Sequence, residues 1–214
     1  MSSGASNFVE SVDFVFILSV AISVFFLVLI TVLMITFIIK YNRKRNPKAV
    51  NVHSNTKLEV IWTVIPTILV LILFWYGWVG YKKMVDIPED AMIVEVTAQM
   101  WKWQFRYETG MVTDTLYVPH KKPVKLVLRS VDVNHSFFIP AFRIKKDVYP
   151  GTERLAWFIA NDVGDYDIAC AEYCGLNHSY MYTKVVSMPE EDFKNWLYGV
   201  SDEDLELLRM LQGD

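Results

Sequence analysis

The sequence predicts a two-helix transmembrane hairpin followed by an all-β domain that ends in short helices. Two long apolar runs without charged residues occupy most of the first 80 positions, and 53% of the 214 residues are hydrophobic. Beyond them, short segments rich in β-branched and aromatic residues alternate with Pro, Gly, Asn and Asp. This length leaves room for one ordinary domain in addition to membrane anchors.

The two apolar runs set the predicted organisation of the N-terminal part. A tail at 1–13 precedes a first transmembrane helix at 14–39, and a basic loop at 40–57 leads to a second helix at 58–82. Each run is long enough to cross a bilayer, and membrane helices tolerate a proline such as Pro66. A signal peptide is the alternative for the first run, but the run is too long and no basic region precedes it.

Charge placement predicts the orientation of the hairpin. The tail carries two acidic residues and no basic one, whereas the loop between the helices carries six basic residues: Lys40, Arg43, Lys44, Arg45, Lys48 and Lys57. Short loops rich in Lys and Arg remain on the cytoplasmic side. We therefore expect both termini and the large domain on the outer side of an inner (plasma) membrane, facing the periplasm or an equivalent compartment.

The segment 83–200 is predicted to form a β domain. Four stretches favour strands, namely Ile93–Tyr107, Val124–Val133, Arg154–Ala160 and Tyr182–Ser187. Short strands with frequent turn signals over about a hundred residues indicate a Greek-key sandwich. From Pro189 the pattern becomes helical, and a capping box at Ser201 predicts a second helix in the C-terminal tail 201–214.

The loop from Cys170 to Met181 has the sequence C-A-E-Y-C-G-L-N-H-S-Y-M and contains both cysteines of the chain. Thiolate, imidazole and thioether are the ligands that copper prefers, and two neighbouring thiolates indicate more than one ion. A structural disulfide would need neither the histidine nor the methionine. Methionine is a poor zinc ligand, and a blue-copper centre would leave one thiolate unused.

A dinuclear site needs a second imidazole, and three histidines lie outside the loop. His53 lies in the basic loop, on the opposite side of the membrane, and His120 precedes two lysines in a predicted solvated turn. His135 follows a β-type run and precedes a turn that contains a proline. We therefore predict His135 as the remote ligand.

The pattern C-x-E-x-C-G-x-x-H-x-x-M with an upstream D-V-x-H-S resembles the CuA domain of subunit II of haem–copper cytochrome c oxidases. Further stretches resemble landmarks of that family in the same order: E-V-I-W-T-V-I-P at Glu59–Pro66, M-W-K-W at Met100–Trp103 and K-K-D-V-Y-P-G at Lys145–Gly151. The resemblance extends from about Phe14 to Val200 and implies a cupredoxin-like fold for the β domain.

The resemblance also implies the ligands of a dinuclear copper centre. These are the side chains of His135, Cys170, Cys174, His178 and Met181 and the main-chain carbonyl of Glu172. The carboxylate of Glu172 is expected to bind Mg²⁺ or Mn²⁺ shared with subunit I, although a surface glutamate without a role is the simpler alternative. Carboxylates suit such hard cations.

Two further side chains, Trp101 and Glu59, have family counterparts with a role. Trp101 resembles the exposed tryptophan that receives electrons from cytochrome c, whereas Trp103 is expected to pack in the core. Glu59 resembles a glutamate at the entrance of a proton path into subunit I. A carboxylate at a membrane boundary can also be merely interfacial and solvated.

The function that the resemblance implies is that of a cytochrome c oxidase subunit. Electrons from cytochrome c would pass through CuA to haem a and the haem–copper centre of subunit I, where oxygen is reduced and protons are pumped. Haem would be held only by the partner subunit, and subunit III is a further expected partner. Three other functions fit the sequence less well. A quinol oxidase subunit normally lacks the copper ligands, and a nitrous oxide reductase is a longer soluble chain. A copper-carrying membrane protein outside respiration would not need Glu59, Trp101 and Glu172. A CuA-containing nitric oxide reductase remains the alternative.

The nature of the electron donor is less defined. Oxidases that use a basic soluble cytochrome c present carboxylates around the entry tryptophan, whereas here Lys102 and Arg106 flank it, and the acidic set is thin: Glu108, Asp114 and Asp132. A complex-associated c-type cytochrome is therefore a second expected donor. No C-x-x-C-H motif for attached haem occurs, and no basic region outside the cytoplasmic loop favours nucleic-acid binding.

Overall fold

The computed structural model of the chain describes residues 4–48, 50–51 and 53–199. These residues form two compact units. One is a helical unit over residues 11–81, and the other combines residues 4–10 with everything described from residue 82 onward.

The helical unit consists largely of two long α-helices, α1 (Val9–Lys40) and α2 (Thr56–Val85). Both are long and apolar enough to cross a membrane, and the side chains along them are largely unburied. The backbone N–H of Leu58 donates to the Asn55 side chain (3.1 Å), so Asn55 caps the N-terminus of α2. Each helix extends a few residues beyond its uncharged apolar run.

The second unit is a β-sandwich of ten strands followed by a short helix. The strands are β1 (Met92–Gln99), β2 (Lys102–Tyr107), β3 (Val112–Thr113), β4 (Leu116–Pro119), β5 (Pro123–Ser130), β6 (His135–Ile139), β7 (Ile144–Val148), β8 (Arg154–Ile159), β9 (Gly164–Cys170) and β10 (Tyr182–Met188). The helix α3 spans Glu190–Tyr198. The predicted fold class is thus confirmed, while the helix predicted at Ser201 lies outside the described residues.

The two sheets have the strand orders β3-β2-β1-β5-β8 and β4-β10-β9-β6-β7. The pairs β1–β5 and β4–β10 are parallel, and the other neighbours are antiparallel. Alternate residues of the strands face the core between the sheets, which is why β1 buries Val94, Val96 and Ala98 but not the residues between them. Phe105 and Phe137 fill the same core from opposite sheets.

Two differences from the sequence prediction affect the candidate site. The stretch predicted as one strand at Ile93–Tyr107 is a tight hairpin, in which Gln99 pairs with Lys102 and Met100 and Trp101 form the turn. His135 was expected to follow a strand but is the first residue of β6. Strand β5 ends earlier, at Ser130, because residues 131–134 form a bend that reverses the chain.

The N-terminal segment at residues 4–8 is part of the β unit. Ser6 forms an antiparallel bridge with Ala160, and the Ile159 backbone N–H donates to the Asn7 side chain (2.8 Å). Phe8 is only 1% exposed and packs edge-on against Trp157 with 5.1 Å between ring centroids. The segment is therefore attached to the chain at the C-terminal end of β8.

We expect Phe8→Ala to destabilise the β unit by about 3–5 kcal/mol, because the substitution leaves a cavity beside Trp157. Urea unfolding of the full chain in detergent, followed by tryptophan fluorescence, measures the change. Val163→Ala, at a half-exposed surface position, is the matched control and should change stability by less than about 0.5 kcal/mol. An unfolding midpoint of Phe8→Ala equal to that of the control would contradict this packing.

Candidate metal centre

Two neighbouring strands and one loop bring the predicted metal ligands together. In the second sheet, β6 begins with His135 and β9 ends with Cys170, and Phe137 of β6 pairs with Cys170. The chain then turns through Cys174 and returns in β10, just after Met181. Because β6, β9 and β10 are neighbours in this sheet, His135 lies beside ligands that are far from it in the sequence.

The two cysteines are the centre of this cluster. Their Sγ atoms lie 3.8 Å apart, and they do not form a disulfide. The Cys170 Sγ lies 3.9 Å from His135 Nδ1 and 3.3 Å from the Glu172 carbonyl oxygen. The Cys174 Sγ lies 3.6 Å from His178 Nδ1 and 3.8 Å from Met181 Sδ. Each sulfur thus has its own imidazole and one further weak donor.

This donor set fits soft or borderline metal ions. The ligand atoms of His135, Cys170 and Cys174 all lie within 4.8 Å of one another, and all three residues are buried. Burial and the neighbouring Cys170 raise the pKa of the Cys174 thiol to about 12. Without a metal this thiol therefore keeps its proton at neutral pH, so metal binding must displace it. Two sulfurs at this separation are close enough for one ion to contact both.

A carboxylate outside the cluster orients His135. The imidazole Nε2 of His135 lies 2.8 Å from Asp132 Oδ1, and the backbone N–H of Met100 donates to Oδ2 of the same carboxylate (2.7 Å). Burial opposes ionisation of Asp132, but the hydrogen bonds from Met100 and His135 prevail and lower its pKa. A carboxylate on Nε2 leaves Nδ1 as the free donor, directed toward Cys170.

The hydrogen bonds of Asp132 correct one expectation from the sequence. Asp132 was grouped with surface carboxylates that could attract a basic donor protein, but its oxygens are engaged by Met100 and His135. Its side chain is only 20% exposed. Asp132 therefore belongs to the support of the metal cluster rather than to a docking surface.

Glu172 and Met181 differ in burial: Glu172 is at the surface of the cluster and Met181 is in its interior. The Glu172 carbonyl oxygen lies beside Cys170 Sγ, whereas the residue as a whole is exposed. Met181 is fully buried. The backbone of Glu172 and its carboxylate are thus available to two different partners.

Trp101 lies directly on the loop that carries the two cysteines. Its indole N–H donates to the Cys174 carbonyl (3.2 Å), and its ring covers Gly175. A Cβ at position 175 would lie 3.3 Å from Trp101 Cζ2, and Gly175 has a φ of +117°, which other residues rarely adopt. Glycine is therefore needed for this close contact. The roles of Gly175 and Asp132 were not predicted. Gly175 meets Trp101 from a distant part of the sequence. Asp132 lies only three residues before His135, but its other partner, the Met100 backbone, is 32 positions away.

The remaining candidates are not ligands, and only Trp103 packs against the cluster. Trp103 is buried against His135 and Phe137, as the sequence predicted. His120 follows β4 and is partly buried, and His53 lies in the helical unit between α1 and α2. Glu59 lies exposed in the first turn of α2, where a carboxylate interacts favourably with the helix dipole.

Comparison with known proteins gives a consistent result. Residues 67–188 match the family "Cytochrome C oxidase subunit II, periplasmic domain", and residues 1–77 match the family "Cytochrome C oxidase subunit II, transmembrane domain". The cytochrome c oxidase subunit 2 of Alkalihalophilus pseudofirmus is 35% identical over 86% of this chain and 57% of its own length. The alternative cytochrome c oxidase subunit 2 of Bradyrhizobium diazoefficiens is 31% identical over 75% of this chain and 69% of its own.

The chain therefore spans 57% and 69% of the length of these two relatives. Among solved structures, the periplasmic domain of subunit II of cytochrome oxidase from Bradyrhizobium japonicum is similar, with a TM-score of 0.50 and 25% identity. The match covers 53% of this chain and 95% of that domain. The chain, with its two apolar helices and its periplasmic cupredoxin-like domain, belongs to the cytochrome c oxidase subunit II family.

Proposed function

We propose that the chain is the electron-entry subunit of a respiratory cytochrome c oxidase and that it holds a dinuclear CuA centre. It accepts electrons from a c-type cytochrome and passes them to the haem centres of subunit I, where oxygen is reduced to water and protons are pumped. The chain reduces no oxygen by itself. The observation that carries this proposal is the arrangement of four further donors around two cysteine sulfurs that lie 3.8 Å apart.

Two copper ions bound there would supply a one-electron relay. The protein residues hold the donors in place before a metal binds. Buried strand residues fix Cys170 and His135, and the Asp132 carboxylate directs His135 Nδ1 toward the sulfurs. Cys174 and Met181 are also buried, which keeps water from the sulfurs. A rigid, preorganised ligand set limits rearrangement during electron transfer.

The packing of the N-terminal segment supports a topology with both termini outside. Residues 4–8 hydrogen-bond to β8 of the sandwich, and α1 begins immediately after them at Val9. The helix α2 ends at Val85, seven residues before β1. With two membrane crossings between these points, the basic loop would lie on the cytoplasmic side of the plasma membrane, as its charge also favours.

Two exposed carboxylates of this chain are available for the proposed contacts with subunit I. The Glu172 carboxylate is available to a Mg²⁺ or Mn²⁺ ion shared with subunit I. Glu59 in the first turn of α2 is available at the cytoplasmic entrance of a proton path in subunit I. Subunit III is a further expected neighbour in the membrane.

Purification from membranes by an affinity tag on this chain tests the oxidase assignment. We expect haem-containing subunit I to co-purify and the complex to consume oxygen when supplied with reduced cytochrome c. Consumption of nitric oxide without oxygen uptake would contradict the oxidase assignment and indicate a CuA-containing nitric oxide reductase. Isolation of a copper-loaded chain without any haem protein would contradict a respiratory role altogether.

We expect Asp132→Asn to weaken copper retention by about 10–100-fold, because the amide no longer fixes His135 as a carboxylate does. Competition with a copper chelator, followed by the absorbance of the centre, measures the retention. Asp114→Asn removes an exposed carboxylate on the same domain and should leave retention unchanged. Equal retention by Asp132→Asn and Asp114→Asn would contradict the orienting role of Asp132.

The surface around the metal loop is apolar rather than acidic. Three side chains of the loop are between 77% and 86% exposed, namely Tyr173, Leu176 and Tyr180. Between residues 171 and 181 Glu172 is the only acidic residue, and there is no Lys or Arg. Exposed apolar groups in such a patch favour a donor that docks by apolar contact, with little electrostatic steering.

We therefore expect the KM for the cytochrome to change by less than about threefold between low and physiological salt. Leu176→Ser should raise this KM by about tenfold, because a leucine side chain loses its contact with the donor. Val163→Ser changes an exposed apolar residue elsewhere on the domain and serves as the control. A steep salt dependence together with an unchanged KM in Leu176→Ser would contradict apolar docking.

A further inference from the structure

The edges of the two sheets carry cations that face the interior of the sandwich. Strands β7 and β8 are each the last strand of their sheet. Lys146 shares its side of β7 with the buried Val148, and Arg154 shares its side of β8 with the buried Phe158. Both side chains line one cavity of about 250 Å³. A cation from each sheet thus enters the same space.

Among the described residues, neither cation forms an ion pair or a hydrogen bond with a carboxylate. The acidic residues next to them in sequence, Glu153 and Asp147, are bonded to other side chains. Glu153, which also lines the cavity, accepts two hydrogen bonds from Arg129 (2.6 and 3.1 Å). Asp147 accepts hydrogen bonds from Lys145 and Ser136 (both 2.7 Å).

The interactions that Arg154 does make leave one donor unused. Its guanidinium lies over the Tyr149 ring, 5.4 Å from the centroid, which is a favourable cation–π contact. Its Nε is buried and has no hydrogen-bond partner in the described part of the chain. Burial lowers the pKa of Lys146, and the charge of Arg154 lowers it further, while Asp147 opposes the shift. An anion in the cavity would relieve both the repulsion and the unpaired donor.

An inward charge on an edge strand can also serve to prevent pairing with other chains. That role does not require a second cation facing the first across a cavity.

The position of the cavity indicates where the anion comes from. Apart from the two cations and Glu153, its walls are apolar and consist of Met84, Val85, Ile87 and Leu155. Val85 is the last residue of α2 and lies three residues beyond the predicted end of the membrane span at residue 82, so the cavity is within about one helical turn of that end. At this level a membrane presents phosphate groups next to glycerol and the first acyl carbons, which match cations beside apolar walls.

We propose that this cavity binds the phosphate of an anionic phospholipid in the outer leaflet, held by Lys146 and Arg154. The apolar walls contact the glycerol and the upper acyl carbons. The site depends on the two-pass arrangement of the chain and is independent of the copper assignment.

Native mass spectrometry of the full chain in detergent tests this proposal. Delipidated protein is titrated with phosphatidylglycerol or with phosphatidylcholine, and retained lipids are counted. We expect the chain to retain one phosphatidylglycerol and no phosphatidylcholine at the same concentration. The double variant K146Q/R154Q should bind phosphatidylglycerol about 100-fold more weakly, at about tenfold for each cation removed.

Two variants separate this site from general attraction to anionic lipid. K82Q/K83Q removes two exposed cations from the last turn of α2, at the same membrane level but outside the cavity, and should bind as the unaltered chain does. K146R/R154K keeps both charges and should lose no more than a few-fold in affinity. It also provides the comparison if K146Q/R154Q does not fold.

Three results would overturn the proposal. One is equal retention of phosphatidylglycerol and phosphatidylcholine. A second is a loss in K82Q/K83Q as large as in K146Q/R154Q. The third is full displacement of the lipid by millimolar inorganic phosphate, which would indicate a site for free anions. The same titration is repeated on the assembled oxidase, where we also expect one retained phosphatidylglycerol. Loss of lipid retention in the assembled oxidase would also count against the proposal, because it would indicate that a carboxylate of another subunit fills the cavity.

Discussion

Cys174→Ser is expected to abolish the dinuclear copper centre and, with it, oxygen consumption driven by the cytochrome. The Cys174 Sγ is the atom that approaches Cys170 Sγ, His178 Nδ1 and Met181 Sδ, all within 3.8 Å. A serine hydroxyl is a hard ligand and does not replace a thiolate toward copper. We expect the copper content to fall from two ions per chain to one or none.

Metal analysis and turnover of the assembled oxidase measure this effect. Ser179→Ala changes an exposed residue in the same loop and should retain both the copper content and the turnover. Near-normal turnover in Cys174→Ser with a haem-containing complex would mean that electrons enter the oxidase by another route.

Trp101→Phe is expected to slow electron entry while leaving the copper centre intact. The phenylalanine lacks the indole N–H that donates to the Cys174 carbonyl, and it covers less of Gly175. We expect the rate of cytochrome oxidation to fall by about 10–100-fold, as misplacement of a group in a reacting pair commonly does. Oxygen consumption driven by a small artificial reductant should change little. Stopped-flow oxidation of the reduced cytochrome measures the first rate.

Gly175→Ala provides an independent test of the same contact. Its added Cβ would press on the Trp101 ring, and the backbone conformation at +117° is unfavourable for alanine. The variant should therefore share the slow cytochrome oxidation of Trp101→Phe. Trp196→Phe is the control, because Trp196 packs on Tyr117 rather than on the metal loop. Rates equal to those of this control in both variants would exclude Trp101 as the entry point.

The ligand cluster could be predicted from the sequence because most of its donors lie in one short segment. Four of the side-chain ligands fall between Cys170 and Met181, and the structure brings this loop to His135. Apolar runs without charges likewise indicated the two long helices, since their length and composition alone define them.

Apart from the contact of Asp132 with His135, the supporting contacts join residues that are distant in sequence and could not be predicted. Asp132 meets the Met100 backbone across 32 positions, and Trp101 meets Cys174 across 73. The turn at Met100 and Trp101 contains no Gly, Pro or Asn, so nothing in its composition interrupts the predicted strand. The contact of Phe8 with Trp157 is also set by tertiary packing, without any local pattern.

The most direct test of the central claim is the copper stoichiometry and electron paramagnetic resonance spectrum of the full chain after copper loading in detergent. The full chain is required because residues 4–8 belong to the β unit. We expect two coppers per chain and hyperfine structure from one electron shared between two equivalent nuclei. One copper with a blue-copper or ordinary cupric spectrum, in a folded and reduced chain, would contradict the assignment of this subunit as the electron-entry point.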